Sequence, residues 1–167
     1  MSFLQRLKGG APLPPKPALK IILLAAIGAF IAIAVLGAFA EYGALAFIMG
    51  SFGASCMIVF GFADVPFAQP RNVIVGHLLS TFSGLLFLNI AGAHWWSMAL
   101  AVACAVALMM LTRTPHPPAA SNPVIVMLAQ PAWSFLLFPT LVGAVLIVLV
   151  ALIYNNLQPE KNYPKYW

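Results

Sequence analysis

Side chains able to do chemistry are scarce in this chain, and they gather in two short stretches and one separate position. The first stretch is "GSFGAS", residues 50–55, with Ser51, Gly53, Ala54 and Ser55. The second is "RTPHPPAASN", residues 113–122, with His116, Pro117, Pro118, Ser121 and Asn122. His77 stands apart, six residues after Arg71. Hydroxyls, an amide and imidazoles among small residues supply hydrogen-bond donors without fixed charge. Such donors suit reversible binding of a small anion better than bond cleavage. No nucleophile, base and acid share a catalytic spacing, no cluster has metal-ligand spacing, and Asp64 and Glu41 are the only carboxylates near the apolar segments. The expectation is a binding site in a protein that is not an enzyme, with no metal and no cofactor.

The elements that must position these residues are membrane helices. Of 167 residues, 63% are hydrophobic and 7% charged, against roughly a quarter charged in an ordinary soluble domain. That surface needs lipid as its solvent. Six apolar segments can be marked, at about 18–40, 43–62, 72–90, 95–111, 118–130 and 133–154. The domain reading is a Pro-rich tail over 1–17, one transmembrane domain over 18–155, and a tail over 156–167. The amino terminus lacks the cleavage pattern of a signal peptide and reads as an interfacial or flexible tail. Cys56 and Cys104 lie in apolar runs and read as small packing residues.

The fifth segment is too short to span a ~30 Å hydrocarbon core as a helix. It is either re-entrant or completed by the preceding "TPHPP" as an extended arm. The second segment, with glycines at 43, 50, 53 and 61, reads as a helix broken near Gly50–Gly53. Irregular backbone at that depth requires surrounding protein or a watery cavity. With six crossings, every Lys and Arg falls on one side, which the positive-inside rule makes cytoplasmic. Both termini are then cytoplasmic. The net charge of +5 is a topology signal, and no nucleic acid is expected as partner.

The stretches "FGASCMIVFGFADVPFAQP" and "PAASNPVIVMLAQP" share Ala-Ser and Ala-Gln-Pro, and each is the middle element of three. Three crossings repeated in tandem must be oppositely oriented, the inverted-repeat plan of many transporters and channels. The fold expected is an all-α membrane protein of about six elements in a 3+3 inverted repeat, with segments two and five as broken or half helices. Their N-termini would meet near mid-depth from opposite sides. Each carries about half a positive charge and several unpaired N–H groups, which together suit a small anion. This avoids a buried lysine costing ~2.5–3.5 kcal/mol or more. Ser55 and Ser121 are expected close together at those N-termini, with Asn122 nearby. The plainer alternatives are tight helix packing for Gly50, Gly53 and Gly61 and simple capping for the two serines.

With His116-Pro117-Pro118, the motifs "GSFGAS" (50–55), "AQPRNVIVGH" (68–77) and "PHPPAAS" (115–121), in this order and separation, resemble the HPP family of integral membrane proteins over about residues 18–155. The resemblance implies transport, and it suggests nitrite, because plant and cyanobacterial members of that family are nitrite transporters. Some relatives carry a CBS pair after the membrane domain; none is expected before Trp167. The partners expected are a small monovalent anion, lipid, and further copies of the chain in a symmetric oligomer, in a bacterial inner membrane. The alternatives are a small-anion or neutral-solute channel, or a structural or assembly membrane protein.

Individual roles follow. Pro117 and Pro118 would hold the arm extended, with Pro118 also able to open the helix. His116 would bind anion when protonated, relay a proton, or bond a carbonyl. His77 needs a buried polar partner, either in the pathway, in the arm or at Asp64. His94 would be interfacial. Arg71 and Arg113 would sit at the inner mouth, attracting anions or merely setting topology, with Asp64 paired to one of them.

Overall fold

The computed structural model describes residues 12–43, 48–159 and 161–167. The expected tail over residues 1–11 and the start of the second segment, residues 44–47, lie outside the described residues. Among those described, the fold is all helical, with six α-helices and no strand. They are α1 (Leu19–Gly43), α2 (Gly50–Gly61), α3 (Pro70–Ala91), α4 (Trp95–Leu111), α5 (Asn122–Ala129) and α6 (Val142–Asn156). A 3₁₀ turn, Pro117–Ser121, leads into α5, and another, Trp133–Leu136, begins the approach to α6.

Three apolar helical runs are long enough to cross a bilayer, Leu19–Tyr42, Pro70–Ala91 and Trp133–Asn156. The third is not straight. Pro139 has no N–H and disfavours helical backbone in the residue before it, and Phe138 is accordingly extended (φ −125°, ψ 119°). α4, with 17 residues, reaches ~25 Å, while α2 with 12 and α5 with 8 reach only ~18 and ~12 Å. Neither short helix can cross alone. Exposed Ile21, Leu23, Ile27 and Phe30 on α1, Leu100 and Met110 on α4, and Leu149 and Ile153 on α6 form the apolar girdle of an integral membrane protein.

The helices pack as two groups. α1, α2 and α6 pack on one another, α3, α4 and α5 do likewise, and α3 against α6 joins the groups. The first group holds much of the apolar core, with Leu36, Phe52, Val59, Phe60, Ile147 and Val148 buried. Asn155 donates to the Val59 carbonyl (3.1 Å), and Tyr154 Oη to that of Leu24 (2.8 Å).

The second group depends on two glycines of α3. A methyl at Gly76 would lie 2.8 Å from His116 Cβ, and one at Gly84 would lie 2.8 Å from Pro123 Cα. They let the arm and α5 lie against α3 backbone to backbone. Gly50 and Gly53 face open space instead, so the packing role expected for them falls to Gly76 and Gly84. α2 is continuous from Gly50 through Gly53; it starts where a break was expected.

The last residues fold under the end of the bundle where α3 starts. Tyr163 Oη donates to the Ala68 carbonyl (2.8 Å), the Lys165 N–H to Gln69 Oε1 (2.7 Å), and Lys165 Nζ pairs with Asp64 (3.0 Å). Burial pushes the Tyr163 phenol above its ordinary pKa, so it remains a donor at neutral pH. Asp64 therefore pairs with the tail and not with Arg71 or Arg113. Gln69 and Gln130, matched by the two Ala-Gln-Pro motifs, differ in backbone: Gln69 is extended (ψ 148°), Gln130 left-handed (φ 46°).

Gly84→Ala should cost about 1–3 kcal/mol, because its methyl meets backbone that cannot step aside. The thermal midpoint of the purified protein should fall accordingly. Gly37→Ala, which meets nothing within 4 Å, should hold or raise it. Equal midpoints for the two variants would show that the α3–α5 seam is not tight.

Candidate functional site

Three elements converge on one hydroxyl. Ser55 lies in the second turn of α2, His77 in the second turn of α3, and His116 just before the 3₁₀ turn of the arm. Ser55 Oγ is 2.9 Å from His77 Nε2 and 2.8 Å from His116 Nε2. It is also 3.0 Å from the Ser51 carbonyl four residues back. All three side chains are fully buried. The rings of His77 and His116 lie 5.1 Å apart, and Phe52 meets the His77 ring edge-on.

The surroundings assign the protons. His116 Nδ1 is 2.7 Å from the Phe67 carbonyl, which can only accept, so Nδ1 carries the hydrogen. His77 Nδ1 is 2.9 Å from Asn122 Nδ2. That amide nitrogen also faces the His77 carbonyl (3.3 Å) and Thr81 Oγ1 (2.9 Å). A flipped amide would set oxygen against a carbonyl, so Nδ2 donates and His77 Nδ1 accepts. Neutral His77 then donates from Nε2 to Ser55, and Ser55 donates to Nε2 of neutral His116. The order is one-way: Asn122, His77, Ser55, His116, Phe67 carbonyl. No fixed charge takes part.

A branch leads further along α3. Thr81 Oγ1 is 3.1 Å from Thr140 Oγ1, and Thr140 donates to Met49 Sδ (3.6 Å). His77 lies ~10 Å and Thr81 ~16 Å along a 22-residue helix of ~33 Å. Met49 is the residue before α2, and Asn122 is the first of α5. Their helices run in opposite directions. α2 ends beside Gln69 at the start of α3, where Gln69 donates to the Ala63 carbonyl (2.9 Å). α5 follows α3, with Ala119 bonded by Ser80 and Val126 facing Gly84. Neither α2 nor α5 has a side-chain cap. In their first turns, Ser51 Oγ and Asn122 Oδ1 are buried without a hydrogen-bond partner.

The candidate residues therefore separate. Ser51, Ser55, His77, His116 and Asn122 come together. Ser55 is not at a helix N-terminus but one turn inside α2, because α2 begins at Gly50. Ser121 is exposed and turns back to the Pro118 carbonyl (2.8 Å), so it does not meet Ser55. Gly53 and Ala54 are exposed on the opposite face of α2. Pro117 and Pro118 open the 3₁₀ turn instead of prolonging the arm, whose extended part is residues 114–116. His116 is therefore buried beside His77, deeper than the end of the arm where it was expected. Arg71 and Arg113 are exposed at one end of the bundle, Arg71 donating to the Thr112 carbonyl (3.1 Å). His94 stacks on Trp96 at the other end.

Sequence reasoning missed Thr81, Thr140, Ser80 and the Phe67 carbonyl. The signal for Thr81 was present, since His77, Thr81 and Gly84 share one helical face at spacings of four and three. Phe67 offers only backbone and leaves no mark in the sequence.

Nitrogen NMR on histidine-labelled protein in lipid, above neutral pH, should show the two imidazoles in different tautomers, His116 protonated at Nδ1 and His77 at Nε2. The same tautomer at both positions would overturn the one-way order.

The comparisons with known proteins agree with this membrane architecture. The family described as HPP, transmembrane region, matches residues 14–164. A transmembrane protein of Dictyostelium discoideum is 39% identical over 128 residues, covering 72% of this chain and 45% of the relative. A second from the same organism is 32% identical over 182 aligned positions, covering 100% of this chain and 58% of the relative. The chain thus spans about half the length of the curated relatives it matches. No solved structure matches it. On a family match across nearly its whole length, this chain belongs to the HPP transmembrane family.

Proposed function

We propose that the protein carries a small monovalent anion, nitrite first, across the membrane through a site between the opposed first turns of α2 and α5. One observation carries this reading. Two short antiparallel helices, neither with a side-chain cap, set their first α-helical turns beside the same pair of threonines near the middle of α3, and each has a buried, unpartnered polar atom there. Helix starts favour negative charge by ~0.3–1 kcal/mol each when exposed, and up to ~2 when partly buried. The Ser51 hydroxyl adds a donor. Asn122 Oδ1, an acceptor, suits a water that stays with the anion.

The packing supports an inverted repeat of α1–α3 and α4–α6. Exchanging α1 with α4, α2 with α5 and α3 with α6 leaves the principal packing pairs unchanged. In this arrangement both termini and Arg71 face the cytoplasm, and copies of the chain form a symmetric oligomer in a bacterial inner membrane.

Ser55 between two imidazoles resembles a nucleophile with its base, yet it is fully buried and both rings take its oxygen. We read it as part of a binding site, in a protein that is not an enzyme.

Purified protein in liposomes should take up nitrite faster than empty vesicles. Ser55→Ala leaves His116 Nε2 without a donor and His77 Nε2–H without an acceptor. At about 1–3 kcal/mol for each orphaned group, uptake should fall tenfold or more. Flux of a cation or neutral solute with none of nitrite or nitrate would defeat the anion reading.

A further inference from the structure

We infer that the His77–Ser55–His116 unit takes up one proton with each anion, so that the transported unit is one anion plus one proton. This rests on the anion-transport reading above. Its basis is the single hydrogen of Ser55, which has two acceptors within reach, His116 Nε2 at 2.8 Å and the Ser51 carbonyl at 3.0 Å.

In the neutral state that hydrogen belongs to His116. A proton from water on the entry side forms an N–H bond at His116 Nε2. The Ser55 hydroxyl then turns to the Ser51 carbonyl, and its oxygen accepts from both rings. Every group of the unit keeps a partner and no heavy atom moves. The cationic His116 retains its Nδ1–H bond to the Phe67 carbonyl. Release on the far side breaks the same N–H bond, returns the proton to water, and restores the neutral order.

The unit has room for one proton. A second would go to His77 Nδ1, where the Asn122 amide already donates, and would set two cationic rings 5.1 Å apart. Among the described residues no other charge takes over the role: Lys161 donates to the Phe60 carbonyl at the end of α2, and Tyr154 of α6 to that of Leu24. On α3 the remaining ionisable side chain is Arg71, exposed and bonded to the Thr112 carbonyl. Cys56 on α2 is a buried free thiol. Cys104 on α4 faces Ser83, α5 has no ionisable group, and Arg113 beyond α4 is exposed. Asp64, in the loop that carries Phe67, pairs with Lys165 of the tail, and Tyr163 and Tyr166 there bond Ala68 and Asn72. A lone cation at this depth is unfavourable, and a neighbouring anion relieves it. Each therefore raises the affinity for the other, and the coupling is reciprocal.

The test uses the full chain in liposomes with a trapped pH dye and the voltage clamped at zero. Nitrite is one probe and nitrate, whose acid does not cross bare lipid, the other; empty vesicles give the background. An inward proton gradient should concentrate the anion about tenfold per pH unit, with one proton entering per anion. His116→Gln keeps a polar partner for Ser55 but cannot hold the proton, so whatever anion flux it retains should carry no proton and show no dependence on the gradient. Uptake that follows voltage and ignores the gradient in the unmodified protein overturns the coupling and leaves the transport reading standing. No flux of either anion sinks both. Independently of flux, nitrogen NMR on acidification with nitrite present should find one of the two buried imidazoles charged, that of His116. Charging of His77 first, or of both rings together, overturns the assignment.

Discussion

A buried hydroxyl shared by two imidazoles is the constraint around which this molecule is arranged. Polar groups inside a bilayer have no water to satisfy them, and each unpaired one is costly. Ser55 can sit at this depth because His77 and His116 arrive from separate elements, and their outer nitrogens are fixed by Asn122 and the Phe67 carbonyl. His116 reaches Ser55 because Gly76 lets the arm approach α3. Phe67 is in place because the turn Pro66–Ala68 is held at Ala68 by Tyr163. Each requirement recruits another part of the chain, down to the last residues.

The same requirement explains the two short helices. A long helix satisfies its own backbone and presents only side chains, whereas a helix that starts inside the protein presents unpaired N–H groups. α2 and α5 start inside, although the Asn122 N–H is taken by the Ala119 carbonyl and Pro123 has none, and the arm before α5 spans the missing depth in few residues. Pro117 and Pro118 mark where that arm ends. A proline at a helix start sacrifices no hydrogen bond, since its N–H would be unpaired there. The His-Pro-Pro sequence thus places an imidazole immediately before a fixed point at which helix begins.

Much of the architecture was legible because it follows from period and composition. The apolar runs gave α1, α3 and α4 to within a few residues, and the shortness of the fifth segment announced α5. Ser51, Ser55, His77, His116 and Asn122 stood out because polar residues in such runs need a reason. Ser121, Gly53 and Ala54 were misplaced for a geometric cause. A displaced helix start rotates each following side chain by ~100° for every residue of displacement, and neither spacing nor composition fixed where α2 and the arm turn helical. Thr140 was hidden because it belongs to the kink at Phe138–Pro139, a backbone departure inside an otherwise uniform run. Asp64 found Lys165 across a hundred residues, and no local pattern records that.

The glycine seam also decides which parts are bound most closely together. Gly76 and Gly84 bring the arm and α5 against α3 at backbone distance, and Ser80 bonds the Ala119 carbonyl between them. Those pieces pack with α4 as one group; α1, α2 and α6 form the other. The boundary between the groups is crossed by the bonds of Ser55 to the two imidazoles and by the Thr81–Thr140 contact. The bonds that tie the two groups together are therefore the same bonds that build the candidate site, and a shear between the groups would have to break them.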